Sequence, residues 1–166
     1  MNVEIARGSA ADIPRLEPLW VAVHHVHQES MPELAPYVDD TTTWAYHRDL
    51  YAELLAKPDS ILLLASIDGE LAGYALACVH DVEGTWIPDT WVTGSRIGEV
   101  ESLSVAASHR GAGLGTRLLD ALEVHLRDVG VEDIIIGALP GNPAVRLYER
   151  RGYKPTWLYL SKFNGR

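Results

Sequence analysis

The feature that most constrains this chain is a predicted strand that leads, through a glycine-rich turn, directly into a leucine-rich helix. Glu99–Val105 is followed by the connection Ala106–His109 and then by Arg110–Thr116, which contains three glycines. Leucines then recur every four residues, which is the period of one apolar helix face. They are Leu114, Leu118, Leu122 and Leu126. The pattern predicts a strand, a tight turn and a helix that begins inside the turn.

A glycine turn at a helix N-terminus is suited to binding a phosphate. The first N–H groups of a helix have no partner, the helix dipole adds about half a positive charge, and glycine lets the backbone approach closely. The dinucleotide pattern G-x-G-x-x-G fails, because its last position is Thr116 or Leu118. The phosphate loop of nucleotide hydrolases also fails, because no Lys follows the glycines. The residues therefore favour another phosphate-bearing ligand, bound by main chain.

Two motifs carry a family resemblance. The turn reads R-x-x-G-x-G at Arg110, Gly113 and Gly115, and the segment Asn142–Tyr153 reads N-P-A-V-R-L-Y-E-R-R-G-Y. The first resembles the coenzyme A pyrophosphate loop of the GNAT superfamily of N-acetyltransferases. The second resembles the family's N-x-x-A-x-x-L-Y-E-x-x-G-[FY] segment, with Ala one place early. The resemblance covers Glu99 to Tyr153 and implies acetyl-CoA as cosubstrate.

The resemblance also implies which residues contact that cosubstrate. Main-chain N–H groups from Arg110 to Gly115, with Thr116 nearby, would hold the pyrophosphate, and Leu103–Val105 would pair with pantetheine like an added strand. The N–H of Val105 or its neighbour would polarise the acetyl carbonyl. The expected cofactor-binding residues are Leu103, Ser104, Val105, Arg110, Gly111, Ala112, Gly113, Leu114, Gly115, Thr116 and Asn142. Asn142, followed by Pro143, is also expected to cap a helix.

Three side chains are candidates for the chemistry. Tyr148 is the expected general acid, since a phenol can give a proton to a departing thiolate; otherwise it is an aromatic packed on the sheet. Glu99 and Glu101 are two residues apart, which predicts that they share one side of the strand with Leu103 and Val105. Either carboxylate could take the ammonium proton, directly or through water. Glu101 is preferred because it lies nearer the predicted cofactor slot. Otherwise each glutamate is a solvated or salt-bridged carboxylate.

The remaining segments predict an α/β fold. Strands are expected at Val3–Ala6, Ser60–Ile67, Glu70–His80, Asp133–Ala138 and Thr156–Lys162, with Ile134–Ile136 buried on both faces and a hairpin turn at Asp68–Gly69. Helices are expected from Ser9 or Asp12 to about Gln28, from Asp40 or Thr41 to about Lys57, and over Asn142–Arg151. The order is β-α-α-β-β-β-α-β-α-β, a mixed sheet with helices on both faces. The family resemblance implies that its central strands splay apart.

Composition limits the class of protein. The 166 residues suit one domain, residues 1–166, and a net charge of −9 argues against nucleic-acid binding. No apolar run is long enough to span a membrane, and no signal peptide is recognisable. The single cysteine, Cys78, excludes an internal disulfide and predicts a reducing, cytoplasmic setting. Family members often dimerise, so the resemblance is compatible with a homodimer.

Several residues keep more than one interpretation. His24, His25 and His27 are expected to be exposed or to line an acceptor pocket, and no metal site is predicted because a third ligand is missing. Trp86 and Trp91 could gate a pocket or cover the core, and Tyr37 and Trp44 could wall the acceptor site.

Taken together, the residues and the resemblance predict an acetyl-CoA-dependent N-acetyltransferase that acts on a primary amine by direct attack. Cys78 lies far from the motifs in sequence, which argues against an acyl-enzyme. The alternative is a CoA-binding sensor or interaction module without turnover. The acceptor amine could belong to a small molecule or to a protein, and its identity stays open.

Overall fold

The computed structural model describes residues 2–85, 87 and 91–163. The strands are β1 (Val3–Arg7), β2 (Ile61–Ile67), β3 (Glu70–Asp81), β4 (Arg96–Val105) and β5 (Ile134–Ile136). The α-helices are α1 (Glu17–Ser30), α2 (Asp40–Leu55), α3 (Leu114–Asp128) and α4 (Val145–Arg150). Within the described ranges, no helix has both the length and the hydropathy needed to cross a lipid bilayer.

The strands form one mixed sheet in the order β1-β2-β3-β4-β5. The pairs β1–β2, β2–β3 and β3–β4 are antiparallel, whereas β5 pairs with β4 in parallel. Asp68 and Gly69 connect β2 to β3 with φ values of 50° and 90°, the positive values that a two-residue hairpin turn requires. The mixed sheet and the hairpin confirm the prediction.

Helices cover both faces of the sheet, as predicted. The leucine face of α3 is buried against one face, together with Val100 and the inner part of α4. The other face packs against α1 and α2 through Trp20, Trp44 and Tyr74. At Gly98 a Cβ would lie 2.7 Å from Cδ1 of Leu126, so the absence of a side chain allows α3 to pack closely.

A β-bulge interrupts β4 at Glu101. Leu76 of β3 lies opposite Ser102, but the next residue, Ala77, lies opposite Val100. Glu101 is therefore the extra residue on β4. A bulge of this kind breaks the alternation of side chains between the two faces.

The bulge overturns one prediction. Glu99 is the partner of Cys78, whose side chain packs with the α1–α2 face. Leu103 and Val105, beyond the bulge, pack with the α3 face. The expectation that Glu99 lies on the same side of the strand as Leu103 and Val105 was wrong, because counting by twos holds only along an unbulged strand.

The sheet opens between β4 and β5. Pairing is limited to Gly98–Val100 of β4 against Ile134–Ile136, although β4 continues to Val105. The predicted strand Asp133–Ala138 is thus shorter, and its three isoleucines are half-buried rather than fully buried. An edge strand with one partner leaves part of its surface uncovered.

The predicted last strand is absent. Residues 156–162 have no strand pairing, and Leu158, Tyr159 and Leu160 are 73%, 81% and 86% exposed. A strand is held by hydrogen bonds to a neighbouring strand, and β5 offers three residues for such pairing.

Two helix starts also differ from the predictions. Ala10–Leu16 is a 3-10 helix that contains Pro14, and the α-helix begins only at Glu17. Asp39, rather than Asp40 or Thr41, caps α2 by accepting a hydrogen bond from the Thr42 N–H at 2.9 Å.

Candidate active site

The glycine turn connects β4 to α3 and presents free main-chain N–H groups. Gly111 and Gly113 have φ values of 79° and 80°, which other residues adopt only with strain. The first hydrogen bond of α3 runs from the Arg117 N–H to the Gly113 carbonyl at 3.1 Å. Among the described residues, none accepts a hydrogen bond from the six N–H groups of residues 111–116. This cluster of donors can bind an anion.

Arg110 closes the turn rather than joining that cluster. Its main-chain N–H is directed at the Ala107 carbonyl, with an N···O distance of 3.4 Å. Its Nε donates to the carbonyl of Val105 at 3.2 Å. The Arg110 N–H, which was expected to help hold the pyrophosphate, is thus directed at a carbonyl of the 3-10 turn Ala107–His109.

The end of β4 offers further donors towards the opening beside β5. The Ala106 N–H donates to the Ala72 carbonyl, on the β3 side, at 2.8 Å. Successive residues of a strand direct their N–H groups to opposite sides, so those of Val105 and Leu103 face the opening. The Ser104 hydroxyl donates to the Leu19 carbonyl at 2.9 Å, so its side chain is turned away from the opening.

These groups meet in one cavity of about 660 Å³, here called the β4 cavity. Most of the sequence-predicted residues line it: Glu101, Leu103, Ser104, Val105, Arg110, Gly111, Gly113, Leu114, Gly115, Thr116, Asn142 and Tyr148. Ala112 and Glu99 are not among its lining residues. Oδ1 of Asn142 accepts a hydrogen bond from the Ala144 N–H at 2.9 Å, but Ala144 is the N-cap of α4, so the expectations that Asn142 caps this helix and that the helix begins at Asn142 were wrong.

A second cavity has a volume of about 1290 Å³ and is here called the C-terminal cavity. Its walls include Glu99, His80 and Trp157. Tyr148 lines both cavities, as do Ile136 and Gly137. The two cavities therefore meet at Tyr148.

Tyr148 is held on α4 with 8% of its surface exposed. Burial raises the pKa of its phenol to about 12. The hydroxyl therefore keeps its proton near neutral pH and can donate it.

The two carboxylates have different surroundings. The pKa of Glu101 is raised to about 7, first by burial and then by the negative charge of Glu99, with Lys57 opposing. Glu101 can therefore exchange a proton near neutral pH. Glu99 is already engaged, since its Oε2 lies 2.7 Å from Nε2 of His80.

A comparison of the chain with models of known protein families agrees with this geometry. The model of the Acetyltransferase (GNAT) family matches residues 20–153. The chain belongs to the GNAT acetyltransferase family. GNAT proteins use acetyl-CoA, so the chain is an acyltransferase, and the open N–H groups of its turn suit the phosphates of that molecule.

One curated relative and two solved structures are similar to this chain, and the two structures show the same fold. An N-alpha-acetyltransferase of Sulfurisphaera tokodaii is 26% identical over 131 residues, covering 78% of this chain and 71% of that protein. A GCN5-related N-acetyltransferase from Ralstonia eutropha JMP134 has a similar fold, with a TM-score of 0.75, 18% identity and coverage of 98% and 99%. A predicted acetyltransferase from Clostridium acetobutylicum, solved with acetyl-CoA, also has a similar fold. Its TM-score is 0.67 at 19% identity, and the match covers 96% of each chain.

The histidines of α1 have three separate environments in this GNAT fold. His24 is buried, with Nε2 2.7 Å from the Val38 carbonyl, and His25 lies 2.9 Å from Oδ2 of Asp40. Only His27 lines the β4 cavity, and burial is the main cause of its lowered pKa. They form no metal cluster within the part of the chain described here.

The aromatic candidates for the acceptor wall lie elsewhere. Trp44 is a core residue, 6% exposed, and the Tyr37 hydroxyl donates to the Met31 carbonyl at 2.7 Å. Neither lines either cavity. Trp86 lies outside the described residues, and the ring of Trp91 is 6.1 Å from that of Trp157.

Sequence reasoning missed several residues that line these cavities. Trp20 and His47, with ring centroids 3.7 Å apart, line the β4 cavity, and Lys57 and His80 line the C-terminal one. His80 follows Cys78 by two residues at the end of a predicted strand. Only the antiparallel register shows that it reaches Glu99.

Proposed function

We propose that this GNAT protein transfers the acetyl group of acetyl-CoA to a primary amine by direct attack, without an acyl-enzyme. The supporting observation is that the open N–H groups of the turn, the open main chain of β4, Glu101 and Tyr148 share one cavity. Cys78 is buried outside that cavity, and burial raises the pKa of its thiol to about 12. A protonated, buried thiol is a poor nucleophile.

Each group has a role that its position supports. The N–H groups of residues 111–116 bind the pyrophosphate, and bound acetyl-CoA supplies the activated acetyl group. The N–H of Val105 donates to the acetyl carbonyl, where negative charge develops during attack. Tyr148, which keeps its proton near neutral pH, gives it to the departing thiolate.

Glu101 is the proposed general base, acting directly or through water, with Glu99 as the other candidate. A base works best when its pKa lies near the working pH, and that of Glu101 is about 7. Glu101 also lines the cavity that contains the open N–H of Val105, whereas Glu99 is bonded to His80.

Three further expectations stay with this proposal. The free Cys78 thiol supports a reducing, cytoplasmic setting. A homodimer stays a prediction. The α-amine of a peptide is one acceptor to try, because the relative from Sulfurisphaera tokodaii is an N-alpha-acetyltransferase.

Two measurements test the proposal. Calorimetry should show binding of CoA and much weaker binding of ATP and NAD. The protein with acetyl-CoA and either an alanyl tripeptide amide or n-propylamine should then release thiol and form the acetylated amine, followed by mass spectrometry. CoA binding without product from either amine would support the sensor alternative instead, and preference for ATP or NAD would reject the CoA site.

A further inference from the structure

Acetyl transfer to an ammonium group removes two protons from nitrogen, so more than one proton acceptor takes part. An alkylammonium loses two protons from nitrogen on becoming an amide. One is matched by the proton that ends on the sulfur of CoA, and the other is released. Glu101, the base of the proposed function, accounts for the proton lost during attack, and an earlier acceptor must free the nitrogen lone pair.

The C-terminal cavity contains a second group suited to this task. His80 and Cys78 are two residues apart on β3, and Glu99 is the register partner of Cys78 on β4. As a result, Nε2 of His80 lies 2.7 Å from Oε2 of Glu99 and 3.2 Å from Sγ of Cys78. The His80 and Glu99 side chains are 27% and 34% exposed, so they remain accessible from the cavity.

This arrangement fixes the tautomer of the imidazole. The Glu99 carboxylate can only accept, so Nε2 carries the proton and donates it. Nδ1 then has a lone pair, and no described residue forms a hydrogen bond with it. Cys78 does not compete as an anion, since burial raises its thiol pKa to about 12.

The same cluster has the residue types of a metal site, but its spacing favours a hydrogen bond. The ligand atoms of Cys78, His80 and Glu99 lie within 4.8 Å of one another. Two N or O ligands of one tetrahedral zinc, each about 2.0–2.1 Å from the metal, stand about 3.3 Å apart. The His80–Glu99 distance of 2.7 Å is shorter.

His80 shares the C-terminal cavity with Tyr148, which also borders the β4 cavity. An amine in the C-terminal cavity can therefore extend from His80 towards the opening where Tyr148 lies. Other titratable groups also face this cavity and contribute to its pH dependence. They are Lys57, Asp81, Glu149, Tyr153, Lys154 and Tyr159.

We propose that His80 takes the first proton from the acceptor ammonium, and that Glu99 is a positioning residue that acts through His80. The proposal rests on the proposed function. Nδ1 accepts the proton, and the Nε2–H···carboxylate bond stabilises the imidazolium. The nitrogen lone pair then forms the C–N bond as the C–S bond breaks. Glu101 takes the second proton, Tyr148 protonates the thiolate and regains a proton from Glu101, and His80 releases its proton to solvent.

The test compares His80→Gln with wild type on two amines of different basicity. An alkylamine resembles the lysine side chain, with a pKa of about 10.4, whereas a peptide α-amine has a pKa of about 7.7–8.0. At pH 7 we expect kcat/KM of His80→Gln to fall about 10²-fold with n-propylamine. The loss should be smaller with an alanyl tripeptide amide and should shrink as the pH rises, because the free amine needs no first acceptor.

Two other variants separate this role from a structural one. Glu101→Gln should impair both amines at every pH, since the second proton must always leave. His25→Gln is the matched control, because His25 also pairs with a carboxylate, at 2.9 Å from Asp40, but lines neither cavity. It should leave both rates unchanged. Calorimetric CoA affinity should be the same in wild type and His80→Gln.

Nitrogen NMR gives a readout independent of turnover. His80 should be an Nε2–H tautomer in wild type, and Glu99→Ala, which removes the carboxylate that accepts from Nε2, should weaken that preference. A loss in His80→Gln that is equal for both amines and independent of pH would overturn the inference while leaving acetyl transfer intact. Abolition of wild-type activity by a chelator, with restoration by zinc, would overturn it in favour of a metal. A wild type that acetylates neither amine refutes the proposed function, and this inference with it.

Discussion

Replacing Glu101 by Gln should stabilise the fold, and the gain should grow as the pH rises. Burial and the charge of Glu99 raise the pKa of Glu101 to about 7 from its ordinary value of 4.5. For a carboxyl group whose pKa is higher when folded, the stabilising effect is complete below pH 4.5. It is lost as the pH rises to 7, because the unfolded chain ionises first. Gln carries no charge to desolvate, so the variant escapes this loss.

The size of the effect follows from those two values. A difference of about 2.5 pKa units is worth about 3 kcal/mol at 1.36 kcal/mol per unit. Linkage gives a penalty of about 1 kcal/mol at pH 5 and about 3 kcal/mol at pH 8 for the wild type. The advantage of Glu101→Gln should therefore increase by about 2 kcal/mol between these pH values. In a domain of this length that corresponds to roughly 4–8 °C in Tm.

Urea unfolding of both proteins at pH 5 and pH 8, with thermal melts alongside, measures this increase. Glu33→Gln is the control for losing one negative charge, because Glu33 is exposed and lines neither cavity. Glu99→Gln should shift the pH dependence of the Glu101 effect to lower pH, since it removes the second cause of the raised pKa. If the free energies of unfolding of Glu101→Gln and wild type differ by the same amount at pH 5 and at pH 8, the pKa of Glu101 is not raised and the reasoning is refuted.

Two further predictions concern activity and packing. Tyr148→Phe should lower kcat by about 10²-fold while CoA affinity stays nearly unchanged, since it removes a proton donor and little surface; steady-state kinetics and calorimetry check this, and unaltered kcat would remove Tyr148 from the acid role. Gly98→Ala should destabilise the fold by about 1–3 kcal/mol in urea unfolding, because the new Cβ would lie 2.7 Å from Leu126 Cδ1. If Gly98→Ala lowers the free energy of unfolding by less in a Leu126→Val background than in wild type, the destabilisation comes from the contact with Leu126.

Local sequence signals were sufficient for most of the fold. The leucines of α3 recur with the helical period and are buried as expected, and Asp68–Gly69 forms the hairpin turn that its residue types favour. The glycine turn was also readable, because the positive φ values of Gly111 and Gly113 are tolerated mainly by glycine. These features depend on residues close together in the chain.

Features that depend on pairing between distant segments were harder to predict. The bulge at Glu101 is set by the register between β3 and β4, and it moved Leu103 and Val105 to the face opposite Glu99. The strand expected at Thr156–Lys162 contains four consecutive apolar or aromatic residues, from Trp157 to Leu160, but β5 is three residues long. Whether an apolar segment becomes a strand depends on the edge it meets.

The sequence by itself determined the family and the turn that presents free N–H groups, and it predicted Tyr148 as a proton donor, because motifs and periods are encoded in neighbouring residues. Only the tertiary structure decided that Glu101 is buried near a second carboxylate, which raises its pKa. It also brought His80 to Glu99 across two strands. Charge burial and register are properties of the packed sheet, and a single strand read alone contains neither.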